Sequence, residues 1–144
     1  MPINDLSVGR DITINLHTAV DGELQVTTVT SFNANSNAVE GVVEPLDGSP
    51  IPYVIPNGFS GTVDFERTDA SLDDFWDDYE AQYYLGRNLK ASTITETINE
   101  TDGSQSQYIY TNVFFKVGDF GPWSRNGTVK QTLTFSAGRR QKIL

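Results

Sequence analysis

The residues of this chain that could do chemistry are few, and their surroundings do not favour catalysis. A hydrolase triad would have to use His17, because it is the only histidine among 144 residues. His17 lies on the polar side of an alternating apolar segment, and no G-x-S-x-G sequence provides a nucleophile. We therefore interpret His17 as a surface or hydrogen-bonded side chain rather than as a catalytic base.

Carboxylates, metals and phosphates lead to the same conclusion. The clustered aspartates 73, 74, 77 and 78 are helical neighbours on one exposed face, where nothing separates them into an acid and a base. Three Asp-Gly pairs occur, but none continues as a calcium loop with a glutamate at its end. No glycine-rich loop opens a helix, and the chain has no cysteine. The sequence predicts a protein that is not an enzyme, with no catalytic residues, metal or cofactor.

Charge is distributed unevenly along the chain. The net charge is −9, made up of −13 over residues 1–80 and +4 over residues 81–144. An acidic protein with a basic tail is a poor nucleic-acid binder, but unlike patches on two copies could attract each other. The alternative is that the charge only keeps the protein soluble. No apolar run is long enough for a membrane span, the first residues lack the pattern of a secretory signal, and the absence of cysteine fits a reducing cytoplasm.

Alternation with a period of two predicts about seven strands in a single domain of residues 1–144. Asp21-Gly22 and Asp102-Gly103 are typical of hairpin turns. The return strand of the second hairpin has apolar side chains on both faces, which predicts that it is covered on both sides. The predicted strands are 12–16, 24–32, 38–44, 61–68, 92–100, 106–117 and 128–135.

One helix is predicted over about residues 71–86, from the stretch SLDDFWDDYEAQYYLGR. Ser71 is the expected N-cap, Gly86 the expected residue after the C-cap, and the aspartates form a solvated face. Tyr84 and Leu85 project on the polar side near the helix end, which indicates an interface. The apolar stripe that would face the core contains Leu72, Phe75, Trp76, Tyr79 and Tyr83.

Residues 44–58 form an unusual segment that combines prolines with large apolar side chains. Four of the six prolines lie here, so the segment is predicted to be a long loop and not a central strand. A surface loop this apolar needs a cover, either its own barrel or another subunit. Its large apolar residues are Leu46, Ile51, Tyr53, Val54 and Ile55.

In the order of these features, over about residues 10–140, the chain resembles the tail tube proteins of tailed bacteriophages. It is more distantly similar to the tube proteins of contractile injection systems. The resemblance lies in a hairpin at 12–32, the insertion at 44–58, and GFSGTVDFERTDASLDDFW, a strand that ends in F-x-R and enters the helix directly. The large hairpin TITETINETDGSQSQYIYTNVFF and the closing F-S-A-G-R-R complete it.

The resemblance implies a mainly β fold, a β-sandwich or half-open antiparallel barrel with one flanking helix. It implies a structural protein whose hexameric rings stack into a tail tube, through which DNA passes without specific binding. The implied partners are further copies of the chain, the tail sheath, the baseplate and the tail terminator, with no membrane. The implied location is the virion tail, assembled in the host bacterial cytoplasm, and the compact chain favours a contractile tail.

The resemblance also assigns residues to contacts. The loop at 44–58 becomes an arm between subunits and rings, with Leu46, Ile51, Tyr53, Val54 and Ile55 as its contacts. Further inter-subunit contacts are Tyr84, Leu85, Arg139, Arg140 and Lys142. An acidic lumen would repel phosphate, and the residues predicted to face it are Glu40, Glu44, Glu96 and Glu100.

A second interpretation stays open at this point. The chain could be a monomeric β-sandwich that binds carbohydrate or protein through the 44–58 loop. The aromatic side chains that could serve as stacking platforms are Tyr53, Phe120 and Trp123.

Overall fold

A computed structural model gives the fold and describes residues 4, 6, 8, 11–19, 22–24, 29–68 and 70–143. Its eight strands form one antiparallel sheet in the order β2-β1-β5-β6-β7-β4-β3, with β8 paired to β6. The elements are β1 (Ile12–Thr18), β2 (Gly22–Leu24), β3 (Val29–Val43), β4 (Ile51–Glu66), α1 (Ser71–Tyr84), β5 (Ser92–Asn99), β6 (Gln105–Asp119), β7 (Lys130–Ala137) and β8 (Arg139–Lys142).

The end strands β2 and β3 do not pair with each other in the described part of the chain, so the sheet is not closed. The predicted fold class, mainly β in a half-open antiparallel barrel with one flanking helix, is confirmed. Asp21 and residues 25–28, which belong to the predicted first hairpin, lie outside the described residues.

The sheet folds into two layers that share β6. The long-strand layer contains β3, β4, β7 and residues 114–119 of β6; the short-strand layer contains β2, β1, β5, residues 105–113 of β6, and β8. Tyr110 of the short-strand layer meets rings of the other layer, with Phe32, Phe59 and Phe135 at centroid distances of 6.2, 6.0 and 5.9 Å. The core therefore lies between the layers, and burial of these rings stabilises their contact.

A bulge in β6 explains why this strand has apolar residues of both phases. Ser92 pairs with Val113 and Ile94 pairs with Tyr110, so β6 has one extra residue between these pairs. Asn112 absorbs it with a positive φ of 54°. Tyr110 before the bulge and Val113 after it therefore face the same core. The prediction that this strand is covered on both sides is wrong, because the bulge shifts the alternation by one residue.

The helix α1 packs on the core through Leu72 and Phe75, which are buried, and through Trp76 and Tyr79, which are partly buried. Tyr83, predicted to complete this stripe, is 62% exposed, because the last turn extends beyond the core. The expected N-cap is also wrong, since Ala70 occupies that position and makes no side-chain cap.

The end of the helix agrees with the sequence. Gly86 has a φ of 74°, its N–H donates to the carbonyl of Tyr83, and the Arg87 N–H donates to the carbonyl of Gln82. These two bonds form a Schellman motif, which needs glycine at this position. No helix in the described part of the chain has the length and hydropathy to cross a membrane.

The segment predicted as a long loop is mostly strand. β3 and β4 pair from Val29 with Phe65 to Val43 with Ile51, with register shifts at Val29/Ser31 and Ser36/Ala38, and residues 44–50 connect them. Residues 29–32 of the predicted strand 24–32 and residues 38–43 of the predicted strand 38–44 therefore belong to one strand, β3, whereas Leu24 belongs to β2. Pro52 and Pro56 cannot donate a backbone hydrogen bond to a neighbouring strand. They fit within β4 because, among the described strands, β7 pairs with Phe59–Glu66 of β4 and does not reach the two prolines.

Candidate functional site: an exposed arm and open sheet edges

The outer part of the β3–β4 hairpin, residues 38–56, forms an arm that extends beyond the body. On one face, Val39 pairs with Ile55 and Val43 pairs with Ile51, while Tyr53 lies across Gly41. On the other face, Glu40 pairs with Val54. Both faces of the ribbon are therefore largely apolar. Its exposed large apolar residues are Val39, Val42, Val43, Leu46, Ile51, Tyr53, Val54 and Ile55.

This exposure is unusual for a protein that acts alone. Single apolar side chains on a surface need no explanation, but a contiguous apolar patch marks an interaction surface. A strand pair that folds over its own body has one covered face, whereas this one is exposed on both. Of the two covers considered for this segment, its own barrel does not supply one in the described part of the chain.

Gly58 sets the point at which the arm leaves the body. Its φ is 80°, and a Cβ placed there would lie 2.7 Å from the carbonyl oxygen of Ala137. Both the backbone conformation and the close approach require glycine. From Phe59 onward β4 pairs with β7, so the arm begins where this pairing stops.

Two edges of the long-strand layer carry backbone groups without a ladder partner. Over Val29–Val43, β3 pairs with β4 alone among the strands that the structure describes. Among the described strands, β7 is the one that pairs with residues 114–119 of β6, since pairing with β5 stops at Val113. Open edges of this length favour pairing with another chain.

The gap between β1 and β3 is a groove lined by both apolar and polar side chains. A cavity of about 290 Å³ lies there, lined by Ile12 and Ile14 from β1 and by residues 29–32 of β3. It adjoins a second cavity of about 410 Å³, which also contacts Ile12 and Phe32 and is bordered by Glu96, Tyr110 and Arg140. The half-open barrel therefore exposes part of its interior along this seam.

Glu96, Tyr110 and Arg140 form a polar cluster inside the barrel. The Tyr110 hydroxyl donates to Glu96 Oε2 at 2.8 Å, and Arg140 Nε donates to the Tyr110 hydroxyl oxygen at 3.0 Å. Arg140 also pairs with Glu96 Oε1 at 3.3 Å, and its guanidinium lies 3.6 Å from the centre of the Tyr108 ring. Each polar group has a partner, which offsets the desolvation of a buried charge.

The cluster changes the pKa of two of its members. Burial, together with the hydrogen bond and negative charge of Glu96, raises the pKa of Tyr110 to about 12. For Arg140, burial acts to lower the pKa, but Tyr110 and Glu96 outweigh it and the pKa is raised. Arg140 therefore stays charged, and it holds β8 against β5 and β6.

The cluster corrects one of the site predictions and bears on another. Glu96 was expected to face a lumen, but it is 5% exposed and paired within the chain. Arg140 was expected to contact another subunit; its guanidinium binds Glu96 and Tyr110, its side chain is 29% exposed, and its role as an inter-subunit contact stays a prediction. The alternation of β5 and of β8 points these side chains inward, and the sequence does not reveal that two charges of opposite sign meet there.

The remaining predicted charges lie apart from one another. Arg139 and Lys142 are exposed on β8, Glu40 and Glu44 are exposed on the arm, and Glu100 precedes the turn between β5 and β6. Their roles as inter-subunit or lumen residues stay predictions.

The end of the helix forms a second apolar patch. Tyr84 and Leu85 are 79% and 68% exposed, and Tyr83 stacks edge-on against Tyr84 at a centroid distance of 5.3 Å. The sequence predicted an exposed patch of Tyr84 and Leu85, and in the structure Tyr83 belongs to the same patch.

A polar contact at the start of the helix is not evident from the sequence. Arg67 pairs with Asp73 at 3.0 Å and lies 5.4 Å from the ring centre of Trp123. Asp73 also accepts a hydrogen bond from the buried Gln131. Asp73 was predicted to be solvated, but it connects the helix to β7; the arginine six residues before it is the only signal in the sequence.

Potential catalytic and metal-binding groups do not come together in the described part of the chain. His17 is exposed on β1. Among the residues that the structure describes, no three His, Cys, Asp or Glu side chains are grouped to hold a metal ion. The arm, the edges and the helix patch are features for binding protein surfaces.

Solved structures share this fold at low sequence identity. One is an extracellular contractile injection system, the PVC sheath/tube terminator in its extended state, with a TM-score of 0.63 and 12% identity, covering 100% of this chain and 98% of that chain. Another is the anti-feeding prophage cap, a tube terminating cap, with a TM-score of 0.63 and 11% identity, covering 99% of this chain and 94% of that chain. A third is the virion of a native gene transfer agent, with a TM-score of 0.53 and 15% identity, covering 95% of this chain and 98% of that chain.

No protein-family model matches the sequence, and no curated protein matches it. At these identities the comparisons concern the fold. The chain has a tail-tube-like fold, and the resemblance inferred from the order of sequence features is confirmed at that level.

Proposed function

We propose that this chain is a structural subunit that assembles into stacked rings and forms the hollow tube of a phage-tail-like particle. The observation that carries the proposal is the arm, residues 38–56, which exposes apolar side chains on both faces. One partner surface would cover only one face of such a ribbon. Insertion between two neighbouring copies covers both, and it links each subunit to the next ring.

The open edges of the long-strand layer supply the contact within a ring. The edge of β3 on one copy can pair with residues 114–119 of β6 on the next, which extends one antiparallel sheet around the ring. A heterologous contact of this kind closes when the rotation between copies divides a full turn. We propose hexameric rings, in keeping with the resemblance to tail tube proteins.

The surroundings of the tube are proposed from the fold neighbours. Those neighbours are parts of contractile injection systems and of a gene transfer agent, with tube, sheath and terminator components. We propose a place in a virion-like tail, assembled in the bacterial cytoplasm, with sheath, baseplate and terminator proteins as partners. DNA would pass through the channel without specific binding.

Negative-stain microscopy of the purified chain tests the proposal when combined with an arm variant. Residues 40–54 are replaced by Asn-Gly, which joins the paired Val39 and Ile55 through a two-residue turn. The body stays paired through Val63, Phe65 and their partners on β7. We expect rings or rods from the unmodified chain and a folded monomer from the variant.

A monomer of the unmodified chain at every concentration and salt condition would contradict the proposal. Rods from the variant would show that the arm is not the joining element. If the variant instead lost a carbohydrate or protein ligand that the unmodified monomer binds, the binding-module interpretation would take its place.

A further inference from the structure

The outward face of the long-strand layer differs from the rest of this acidic surface. Along β3, β4 and β7, the residues that alternate with the core positions are small and uncharged in two consecutive rows, and in the next row only Asp64 is charged. Asn35 lies in the row of Ser60 and Ser136, and Asn33 lies in the row of Thr62 and Thr134. The small polar residues of the face are Ser31, Asn33, Asn35, Ser60, Thr62, Thr132, Thr134 and Ser136.

Charges on this face are few and nearly cancel. Three acidic and two basic residues share it, which gives a net charge of −1 against −9 for the whole chain. Asp64 accepts a hydrogen bond from the Thr132 hydroxyl at 2.8 Å, and Glu66 pairs across the strands with Lys130. The charged residues are Asp64, Glu66, Lys116, Asp119 and Lys130.

The shape of the subunit decides which way this face would point in a ring. The opposite face of the long-strand layer is covered by the core, with Val63, Leu133 and Phe115 buried under the short-strand layer and the helix. When sheets join edge to edge in a closed ring, the side of the sheet that carries the short-strand layer and the helix needs the larger circumference. The outward face of the long-strand layer, which carries no second layer, therefore lies on the concave side, towards the axis.

We propose that this hydroxyl- and amide-bearing face is the wall of the channel, and that the wall is close to neutral. The inference rests on the proposed ring assembly and adds the chemistry of the conduit. Serine, threonine and asparagine are well hydrated and carry neither fixed charge nor large apolar surface. Phe114, which pairs with Ser136 and is 43% exposed, adds an apolar ring at the β6 edge of this face. Because its charges nearly cancel, the wall would not strongly retain either a polyanion such as DNA or a protein of either sign.

This wall differs from the acidic lumen expected from the sequence. Glu96 is buried, and Glu40 and Glu44 are on the arm, outside the three rows of the face. Glu100 lies at the β5–β6 turn of the other layer. The two arrangements make different predictions about which side chains are enclosed in an assembled tube.

The absence of cysteine from the chain allows a direct test. Four single-cysteine variants are made: Asn33→Cys and Thr134→Cys on the proposed wall, Asp77→Cys on the exposed side of the helix, and Glu100→Cys. Assembled rods are treated with a biotin maleimide, which is small enough to enter a channel. They are then incubated with gold-labelled streptavidin, which decorates only sites that a protein can reach from outside.

We expect the Asp77→Cys rods to carry gold along their length. The Asn33→Cys and Thr134→Cys rods should carry gold only at their ends, although blotting of the denatured chains shows that they took up biotin. Glu100→Cys rods should be decorated along their length, because the proposed wall does not include that residue.

Gold along the length of both wall variants would overturn the inference, as would failure of both to take up biotin, which would place the face inside a packed interface. Loss of gold from Glu100→Cys together with gold on both wall variants would favour the acidic lumen instead.

Two wall positions are used so that one poorly folded variant does not decide the result. Absence of rods from the unmodified chain would overturn the proposed function, and the inference with it.

Discussion

At the scale of single residues, the most informative group is the buried Glu96–Tyr110–Arg140 cluster. A carboxylate inside a barrel is costly unless hydrogen bonds and an opposite charge compensate for its lost hydration. Here, Tyr110 and Arg140 both bind it, and Arg140 comes from β8, the short strand near the end of the described chain. The cluster thus fixes β8 to the body, while the neighbouring Arg139 stays exposed.

The first prediction concerns Tyr110 and pH. The pKa of Tyr110 is about 12 in the folded chain, above the value of about 10 for an unfolded tyrosine, so the folded chain keeps a proton that the unfolded chain loses. The stabilising contribution of Tyr110 is fully present below the unfolded pKa of about 10. As pH rises from about 10 to about 12, the free energy of unfolding falls by about 2 kcal/mol. Urea unfolding across this pH range measures the loss, and tyrosinate absorbance follows the ionisation.

Tyr110→Phe is the matched control, because it removes the hydroxyl and keeps the ring contacts. This variant should lack the tyrosinate component near pH 12 and should lose less stability over the same range. Equal pH dependence in the two proteins would contradict the raised pKa.

The second prediction separates two adjacent arginines. Arg140→Ala leaves Glu96 buried without its counter-charge, so the free energy of unfolding should fall by about 2 kcal/mol. Arg139→Ala changes only an exposed side chain and should stay within about 0.5 kcal/mol of the parent. Urea unfolding at neutral pH compares them, and similar values for both would mean that the cluster contributes little to stability.

At the scale of elements, the helix has a packing face and an end that serve different purposes. Leu72 and Phe75 are buried in the core, and Asp73 connects the first turn to Arg67 and Gln131. The last turn extends past the core and exposes Tyr84 and Leu85. Changes at the two ends of one short helix should therefore have separable effects.

The third prediction tests this separation. Tyr84→Asp combined with Leu85→Asp should leave the monomer folded by circular dichroism and weaken its assembly in negative-stain images. Phe75→Ala in the same helix removes a ring that is 1% exposed and should lower the free energy of unfolding by about 3 kcal/mol. Unfolding of the Tyr84/Leu85 double variant would show that these side chains stabilise the monomer and are not an interface.

At the scale of the whole molecule, the chain folds into a body with parts that the body does not cover. Within the described residues, the arm, the edge of β3 and the seam between β1 and β3 are all open, and the charge changes sign along the sequence. Arg139 and Lys142 are exposed basic groups, whereas the arm carries Glu40, Glu44 and Asp47. Attraction between unlike parts of neighbouring copies would orient them head to tail.

The fourth prediction uses this charge difference. Arg139→Glu with Lys142→Glu should slow assembly, followed by light scattering, and leave the urea midpoint of the monomer nearly unchanged. Added salt should reduce the difference between the variant and the parent, because exposed charges are screened beyond about 10 Å at 0.1 M ionic strength. A difference that does not respond to salt would show that the two residues act through packing instead of charge.

Local sequence patterns were enough to predict the class of the elements and the unusual character of the arm segment. Alternation identified the hairpin of β5 and β6 with its turn at Gly103, the period of the helix gave Leu72 and Phe75 to the core, and Gly86 marked the helix end. These features were predictable because they depend on local periodicity and on backbone conformations that few residues adopt. The apolar, proline-containing segment was likewise recognised as needing a cover.

The positions at which those elements meet depend on tertiary contacts. The bulge at Asn112 reverses the phase of β6. β3 continues through an Asn/Ser-rich stretch because β4 pairs with residues 33–36 of it. Glu96 binds Arg140, which is forty-four residues away. Each depends on contacts between residues distant in sequence, which local propensity does not encode. The exposure of both faces of the arm has the same origin, because it depends on where the rest of the sheet stops pairing with β4.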